Sequence, residues 1–182
     1  MMGLLASFIA SALMARAGDE ATYVGSSKCK PCHFKQANSW AQTKMAKALD
    51  VLAPGVNAEA KTKAGLDPKK DYSKDPKCLK CHTTGYGKTG GFTTIEATPA
   101  MVGVGCEMCH GPGSKYIEIM RANKLYKKAE VAAAGLVSPP TKEHCLHCHN
   151  PESPFVGKDY VFDFEKRKAQ GTHEHFPLAN AH

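Results

Sequence analysis

Four copies of the pattern Cys-x-x-Cys-His occur in the chain, and together they use all eight of its cysteines. Two thiols spaced in this way and followed by histidine are the attachment pattern of a c-type haem: the thiols bond the porphyrin and the histidine binds its iron. We therefore predict four covalently bound haem c groups. The attachment cysteines are Cys29, Cys32, Cys78, Cys81, Cys106, Cys109, Cys145 and Cys148, and the proximal iron ligands are His33, His82, His110 and His149.

Zinc sites and disulfides are the alternatives for eight cysteines. Two Cys-x-x-Cys pairs can hold one zinc ion, and eight thiols can form four disulfides. Neither alternative explains why a histidine follows every pair. The gaps between the pairs are also uneven and longer than those of a typical zinc ribbon.

The N-terminus resembles a short export signal. Met1 to Met14 is apolar apart from two serines, is too short to span a bilayer, and precedes the small-x-small run Ala15-Arg16-Ala17. We predict a signal peptide at residues 1–17 and a single tetrahaem cytochrome c domain at residues 18–182. A retained membrane anchor is the alternative. Export to the periplasm or another external compartment agrees with c-type haem attachment, which takes place outside the cytoplasm.

The basic charge of the chain does not indicate a nucleic-acid-binding protein. The formal net charge is +7. Each haem adds two propionates, so four haems offset most of this excess. A nucleic-acid partner would require a positive surplus clustered on one face.

The local patterns predict a mainly α fold with much coil. Runs of helix formers and their flanking glycines and prolines indicate helices at residues 34–52, 57–63, 115–134 and 163–170, with another after Thr141. The glycine-rich run 83–91 is a candidate for a short hairpin. The lysine-rich run 61–77 is typical of a solvated loop.

The sixth coordination position of each iron separates an electron carrier from a catalyst. Met45 lies twelve residues after His33 on a predicted helix, a rise of about 18 Å, so it can ligate only a haem other than the one held by His33. A packing role is the alternative, because methionine fills core gaps well. His173 and His175 point to opposite sides of an extended segment, so at most one serves a given iron.

Several short segments resemble the tetrahaem cytochrome c-554 family. The similarity extends from about Ser27 to His110 and resumes at the fourth motif and at His173-Glu174-His175. Besides the haem motifs it includes Ser39-Trp40, Gly65-Leu66-Asp67-Pro68, Lys70-Asp71-Tyr72, Gly85-Tyr86-Gly87, Gly103-Val104-Gly105-Cys106 and His110-Gly111-Pro112-Gly113.

The resemblance implies a compact, mostly helical tetrahaem fold built around closely packed haem pairs. It implies electron transfer in the periplasm between redox partner proteins. It also implies distal iron ligands at three positions, which here are Met45, Met120 and His173, and it leaves the haem of the second motif without a distal protein ligand. Methionine at two of these positions departs from the histidines of the family.

Three functions remain in competition at this stage. The favoured interpretation is an electron carrier that receives electrons at an exposed haem edge and passes them along the packed haems. The alternatives are a reductase of nitric oxide or a related nitrogen compound at an open iron held by His82, and a subunit of a conductive filament. No catalytic constellation of carboxylate, lysine or tyrosine can be assigned beside that iron from the sequence.

Overall fold

A computed structural model describes residues 20–123 and 125–178. Short helices joined by turns and coil make up this part of the chain, and its only strand-like pairing is one isolated bridge between Thr83 and Val102. The predicted mainly α fold with much coil is confirmed. The helices are α1 (Ser26–Cys29), α2 (Phe34–Ala41), α3 (Ala58–Lys63), α4 (Pro76–His82), α5 (Cys106–His110), α6 (Ser114–Ala122), α7 (Lys128–Ala133), α8 (Lys142–Leu146) and α9 (Phe164–Gly171), with short 3-10 segments at Asp50–Leu52 and Pro99–Met101.

Two apolar clusters support the helices. One forms around the second haem motif and contains Leu49, Leu52, Tyr72, Leu79, Phe92 and Met101. The other lies between α6 and α7 and contains Tyr116, Tyr126 and Val131. Both are small for a domain of this size, which agrees with a fold whose largest apolar groups are porphyrins.

The predicted helix at residues 34–52 ends early, at Ala41. The Thr43 hydroxyl donates to the Trp40 carbonyl at 2.7 Å and accepts from the Ala46 amide at 3.3 Å. A side chain that satisfies nearby backbone groups in this way competes with the helical ladder. Met45 therefore lies in a turn, and the straight helix expected between His33 and Met45 was wrong.

The predicted helix at residues 115–134 is two helices, α6 and α7. Beyond the end of α6, the Asn123 side-chain oxygen accepts from the Leu125 amide at 2.9 Å, a local turn that replaces the next helical hydrogen bond. The shorter helices predicted at 57–63, after Thr141 and at 163–170 are confirmed as α3, α8 and α9.

The lysine-rich segment is not solvated throughout. Lys61 is only 2% exposed, and its ammonium group donates to the Ala53 carbonyl at 2.6 Å and lies 5.6 Å from the centre of the Tyr72 ring. The hairpin considered for residues 83–91 is also absent from this part of the fold, which consists of turns.

Across the described residues, every helix is too short or too polar to cross a membrane. The predicted signal peptide at residues 1–17 lies outside the described residues.

Candidate functional site: four haem-attachment motifs

Each motif forms one helical turn that places two thiols and an imidazole on the same side. The second and third motifs end α4 and α5. In the first and fourth motifs, the histidine amide donates to the carbonyl of the first cysteine, at 3.0 Å for His33 and 2.9 Å for His149. Side chains three and four residues apart share a helix face. The arrangement therefore suits two thioether bonds and an iron ligand to one porphyrin.

Two of the histidines are already oriented for iron. Nδ1 of His82 lies 2.5 Å from the Ala48 carbonyl, and Nδ1 of His110 lies 2.8 Å from the Val137 carbonyl. A carbonyl can only accept, so the proton sits on Nδ1 and Nε2 carries the lone pair. Metal-binding histidines are commonly oriented by a backbone carbonyl in this way. These two sites fit a haem iron bound through Nε2.

The other two histidines contact aromatic rings. Nε2 of His33 lies 3.1 Å from the hydroxyl oxygen of Tyr116, and the His149 ring stacks on the buried Phe162 with ring centres 4.7 Å apart. Burial raises the pKa of Tyr116, so its phenol is neutral at neutral pH. In both sites the aromatic contact limits the rotation of the imidazole.

The motifs meet in pairs that are distant in sequence. Helix α1 packs against α5, and the Cys29 thiol is close enough to Cys106 to lower its pKa. Lys80 of the second motif forms an ion pair with Glu152, three residues after the fourth motif, and the Cys148 thiol lowers the pKa of Cys81. The first motif is therefore next to the third, and the second is next to the fourth.

The third and fourth motifs connect these two pairs. Helix α5 packs against α8. Burial raises the pKa of Cys109 to about 11, and the nearby Cys145 contributes to this rise. These contacts link the first motif to the third, the third to the fourth and the fourth to the second.

One of the predicted distal ligands, His173, has a ring contact with a proximal histidine. Its ring centre is 6.3 Å from that of His110, with the two planes inclined by 30°. Two axial nitrogens, each about 2 Å from one metal, place their ring centres about 6 Å apart. The arrangement fits two imidazoles on opposite sides of one iron. His175 lies beside His173, at 5.3 Å between ring centres, and is exposed.

In the folded structure, the turn that contains Met45 lies beside both the second and the third motifs. Its carbonyl accepts from the Val104 amide at 2.9 Å, two residues before Cys106, and the turn that follows it supplies the carbonyl of Ala48 to His82. A Cβ at Gly103 would lie 2.3 Å from the Ala46 carbonyl oxygen, so a residue without a side chain is needed where these segments meet.

Met120 is on α6, one turn after Tyr116, and packs against the cluster of Tyr116, Tyr126 and Val131. Because Tyr116 contacts His33, α6 lies on the Nε2 side of the first motif.

Sequence reasoning missed two residues of the site. Glu107, between the cysteines of the third motif, is 3% exposed and accepts from the amides of Val24, Gly25 and Gly113 at 2.7–3.2 Å. Tyr116 is the other. The sequence gives no local sign of either role, because both depend on contacts between distant segments.

The comparisons with known proteins agree with this geometry. Residues 28–111 match the family model described as cytochrome c554 and c-prime. Cytochrome c-554 of Nitrosomonas europaea is 35% identical over 184 residues, covering 87% of this chain and 78% of that protein. The structure of the reduced state of cytochrome c554 from the same organism matches with a TM-score of 0.77 and 35% identity, over 88% of this chain and 89% of that chain.

These similarities include the helical architecture and extend well beyond the haem motifs. The resemblance inferred from the short sequence segments is confirmed, together with the covalent haem c and the electron-transport role that it implied. The chain belongs to the cytochrome c-554 family and is a c-type cytochrome that carries electrons.

Proposed function

We propose that this protein is a periplasmic tetrahaem cytochrome that passes electrons between redox partner proteins along four adjacent haems. The observation that carries the proposal is the contact between motifs. Helix α1 of the first motif packs on α5 of the third, α5 packs on α8 of the fourth, and Lys80 of the second motif forms an ion pair with Glu152 beside the fourth. Haems attached at these sites would form one continuous series, which suits electron transfer through the protein.

The eight cysteines would hold the haems, and the four motif histidines would be the proximal ligands. Bound haem supplies reversible one-electron chemistry at iron. The protein sets the potentials through axial ligands, hydrogen bonds and burial. The Ala48 and Val137 carbonyls increase the donor strength of His82 and His110 through their Nδ1 hydrogen bonds.

The distal positions would be supplied by three regions of the chain. His173 would face His110 across the haem of the third motif, as their ring separation supports. Met45 would serve a haem other than the first, because its turn is fixed to residues preceding the third motif. Helix α6, which carries Met120, would supply the distal side of the first haem. The haem held by His82 would remain open.

Electrons would enter or leave at the first motif. Cys32 is the exposed cysteine among the eight, and it lies beside Phe34, whose side chain is 59% exposed. Residues 21–49 contain five lysines and no acidic residue. We name Lys28, Lys30 and Lys35, which are exposed around this edge, the lysine edge. Its charge favours an acidic redox partner.

Three measurements test the proposal. The intact mass of protein from a host with haem-maturation enzymes should equal the peptide plus four haems after acid denaturation. Replacing Cys145 and Cys148 with serine should remove one haem and slow electron transfer between the two ends of the series, as followed by flash reduction. Fewer than four haems in the unmodified protein, or unchanged internal transfer in the variant, would contradict the proposal. N-terminal sequencing of periplasmic material should find a start near Gly18.

A further inference from the structure

We propose that the buried ammonium group of Lys61 raises the reduction potential of the haem attached at Cys78 and Cys81. This inference rests on the proposed haem at the second motif and adds a residue outside the four motifs to the groups that set its potential. The motivating observation is a buried cation without a paired anion. Lys61 is 2% exposed, and among the described residues it forms no ion pair.

Helix α3 carries Lys61, and two neutral groups hold its ammonium group in place. The ammonium group donates to the Ala53 carbonyl at 2.6 Å and lies 5.6 Å from the centre of the Tyr72 ring. Lysine is almost never buried so deeply without a partner, because an ammonium group loses favourable hydration on burial. A carbonyl dipole and an aromatic face compensate part of that cost but carry no net charge. The positive charge therefore remains to act on its surroundings.

One of these two groups belongs to the segment that orients the second motif. Ala53 ends the 3-10 segment Asp50–Leu52, five residues after Ala48. The Ala48 carbonyl accepts from Nδ1 of His82, the proposed proximal ligand of that motif. The hydrogen bond to Ala53 thus holds the Lys61 ammonium group beside the segment that contacts the proximal histidine.

The other group packs against the attachment site itself. Tyr72 is 6% exposed in the apolar cluster that includes Leu79, which lies between the two cysteines of the motif, and Cys78 packs against this cluster. Burial raises the pKa of the Cys78 thiol, and the positive charges of Lys70 and Lys61 oppose part of this rise. Both charges therefore act at the sulfur that would bond the porphyrin.

Electrostatics gives the direction of the effect. Reduction adds one electron at the iron, so a nearby positive charge stabilises the ferrous form and raises the potential. Water and salt screen a buried charge much less than an exposed one. Lys70 offers a comparison, because its ammonium group lies 5.1 Å from the centre of the same Tyr72 ring but its side chain is exposed. The carboxylate of Asp71, which also interacts with Lys61, is exposed and accepts from the Ser73 amide.

The test is spectroelectrochemical titration of the tetrahaem protein and of variants at Lys61. Lys61→Met removes the charge and keeps most of the length of the side chain, whereas Lys61→Gln removes the charge and keeps an N–H donor. Both should lower the potential of one haem by about 59 mV, which corresponds to a tenfold shift of its ferric-to-ferrous ratio. Lys61→Arg keeps the charge and should preserve the parent potential. Lys70→Met is the matched control and should cause a clearly smaller shift.

A second background assigns the shift to the haem of the second motif. Replacing Cys78 and Cys81 with serine should remove that haem, and intact mass verifies that three remain. In this background, Lys61→Met should leave the three remaining potentials unchanged. A shift that persists there would place the effect at another haem and overturn the inference.

Three other results of the titrations would also overturn it. They are unchanged potentials in both neutral variants, a shift in Lys61→Met that is absent in Lys61→Gln, and equal shifts in Lys61→Met and Lys70→Met. If neither neutral variant binds four haems, Lys61 serves folding and the inference fails. Intact mass of the parent separates this inference from the broader proposal. Four haems whose potentials do not depend on Lys61 refute only the inference, whereas fewer than four refute the tetrahaem proposal itself.

Discussion

The imidazole rings of His110 and His173 face each other at 6.3 Å although sixty-three positions separate them in the sequence. His173 follows α9 in an extended segment, and the Glu174 amide donates to the Ser39 hydroxyl at 2.8 Å. That hydrogen bond fixes the C-terminal segment beside α2. Contact between the C-terminal segment and α2 therefore places His173 near the third motif.

Replacing His173 with alanine should convert one haem from six-coordinate low spin to high spin. The physical reason is the loss of one of two strong-field imidazoles from the iron held by His110. Electron paramagnetic resonance of the ferric protein measures the change. His175→Ala is the matched control and should leave the spectrum unaltered, because His175 is exposed beyond His173. An unchanged spectrum in His173→Ala would show that His173 is not a ligand.

Met45→His should remove a near-infrared band of histidine–methionine ligation and lower the potential of one haem. A thioether ligand raises the potential relative to a second imidazole. Magnetic circular dichroism and redox titration report the two effects. Met101→Leu is the control, since Met101 is buried in the apolar cluster around the second motif. If the unmodified protein lacks the band, Met45 is a packing residue.

Replacing both Cys78 and Cys81 with serine should remove one haem. The reduced variant should then bind one equivalent of nitric oxide less than the parent protein. The haem held by His82 is expected to have an open sixth position, so it is the site that a small ligand can occupy. Titration with nitric oxide gives the number of binding sites. Equal binding in the variant and the parent would place the open iron elsewhere. Steady turnover on the order of 1 per second would favour an enzyme over a carrier.

Glu107→Gln should lower the free energy of unfolding of the holoprotein by about 2 kcal/mol. The amide keeps the volume of the side chain but places an N–H group against backbone amides that need an acceptor, those of Val24, Gly25 and Gly113. Denaturant unfolding measures the loss. Glu118→Gln changes an exposed carboxylate 3.6 Å from Lys115 and should cost less than about 1 kcal/mol. Equal effects of the two substitutions would contradict the role of Glu107.

Replacing Lys28 and Lys30 with glutamate should slow oxidation of the reduced protein by an anionic reagent such as ferricyanide and speed oxidation by a cationic one such as tris(phenanthroline)cobalt(III). Opposite charges accelerate encounter, and salt weakens the effect. Stopped-flow rates at low and high ionic strength measure it. Glutamate at Lys63 and Lys69, remote in sequence from the lysine edge, is the control. A rate change that is the same for both reagents would argue against docking at this edge.

The sequence was most informative where function depends on a local pattern. Cys-x-x-Cys-His specifies the bonding atoms, so a haem site could be proposed at each copy, and the structure forms a helical turn at each one. Helices α3, α8 and α9 were likewise predictable, because glycine or a capping residue marks their ends.

Contacts between distant segments could not be predicted in this way. The helix expected at 34–52 ends early because the Thr43 hydroxyl donates to the Trp40 carbonyl. The presence of a threonine does not by itself predict this hydrogen bond. From the sequence, Glu107 would be expected on the surface. In the fold it is buried because the amides of Val24 and Gly113 donate to its carboxylate. Tyr116 reads as one apolar position of an amphipathic helix, and its contact with His33 arises only when α6 crosses the first motif.

The spatial order of the motifs means that the chain is interleaved. A cut between the second and third motifs, near Ile95, would separate the first motif from the third and the second from the fourth. Neither half would retain a pair of neighbouring motifs. If the four haems form the proposed series, electron transfer across the molecule would require both halves of the chain, and no pair of neighbouring sites would be complete before the third motif had been synthesised.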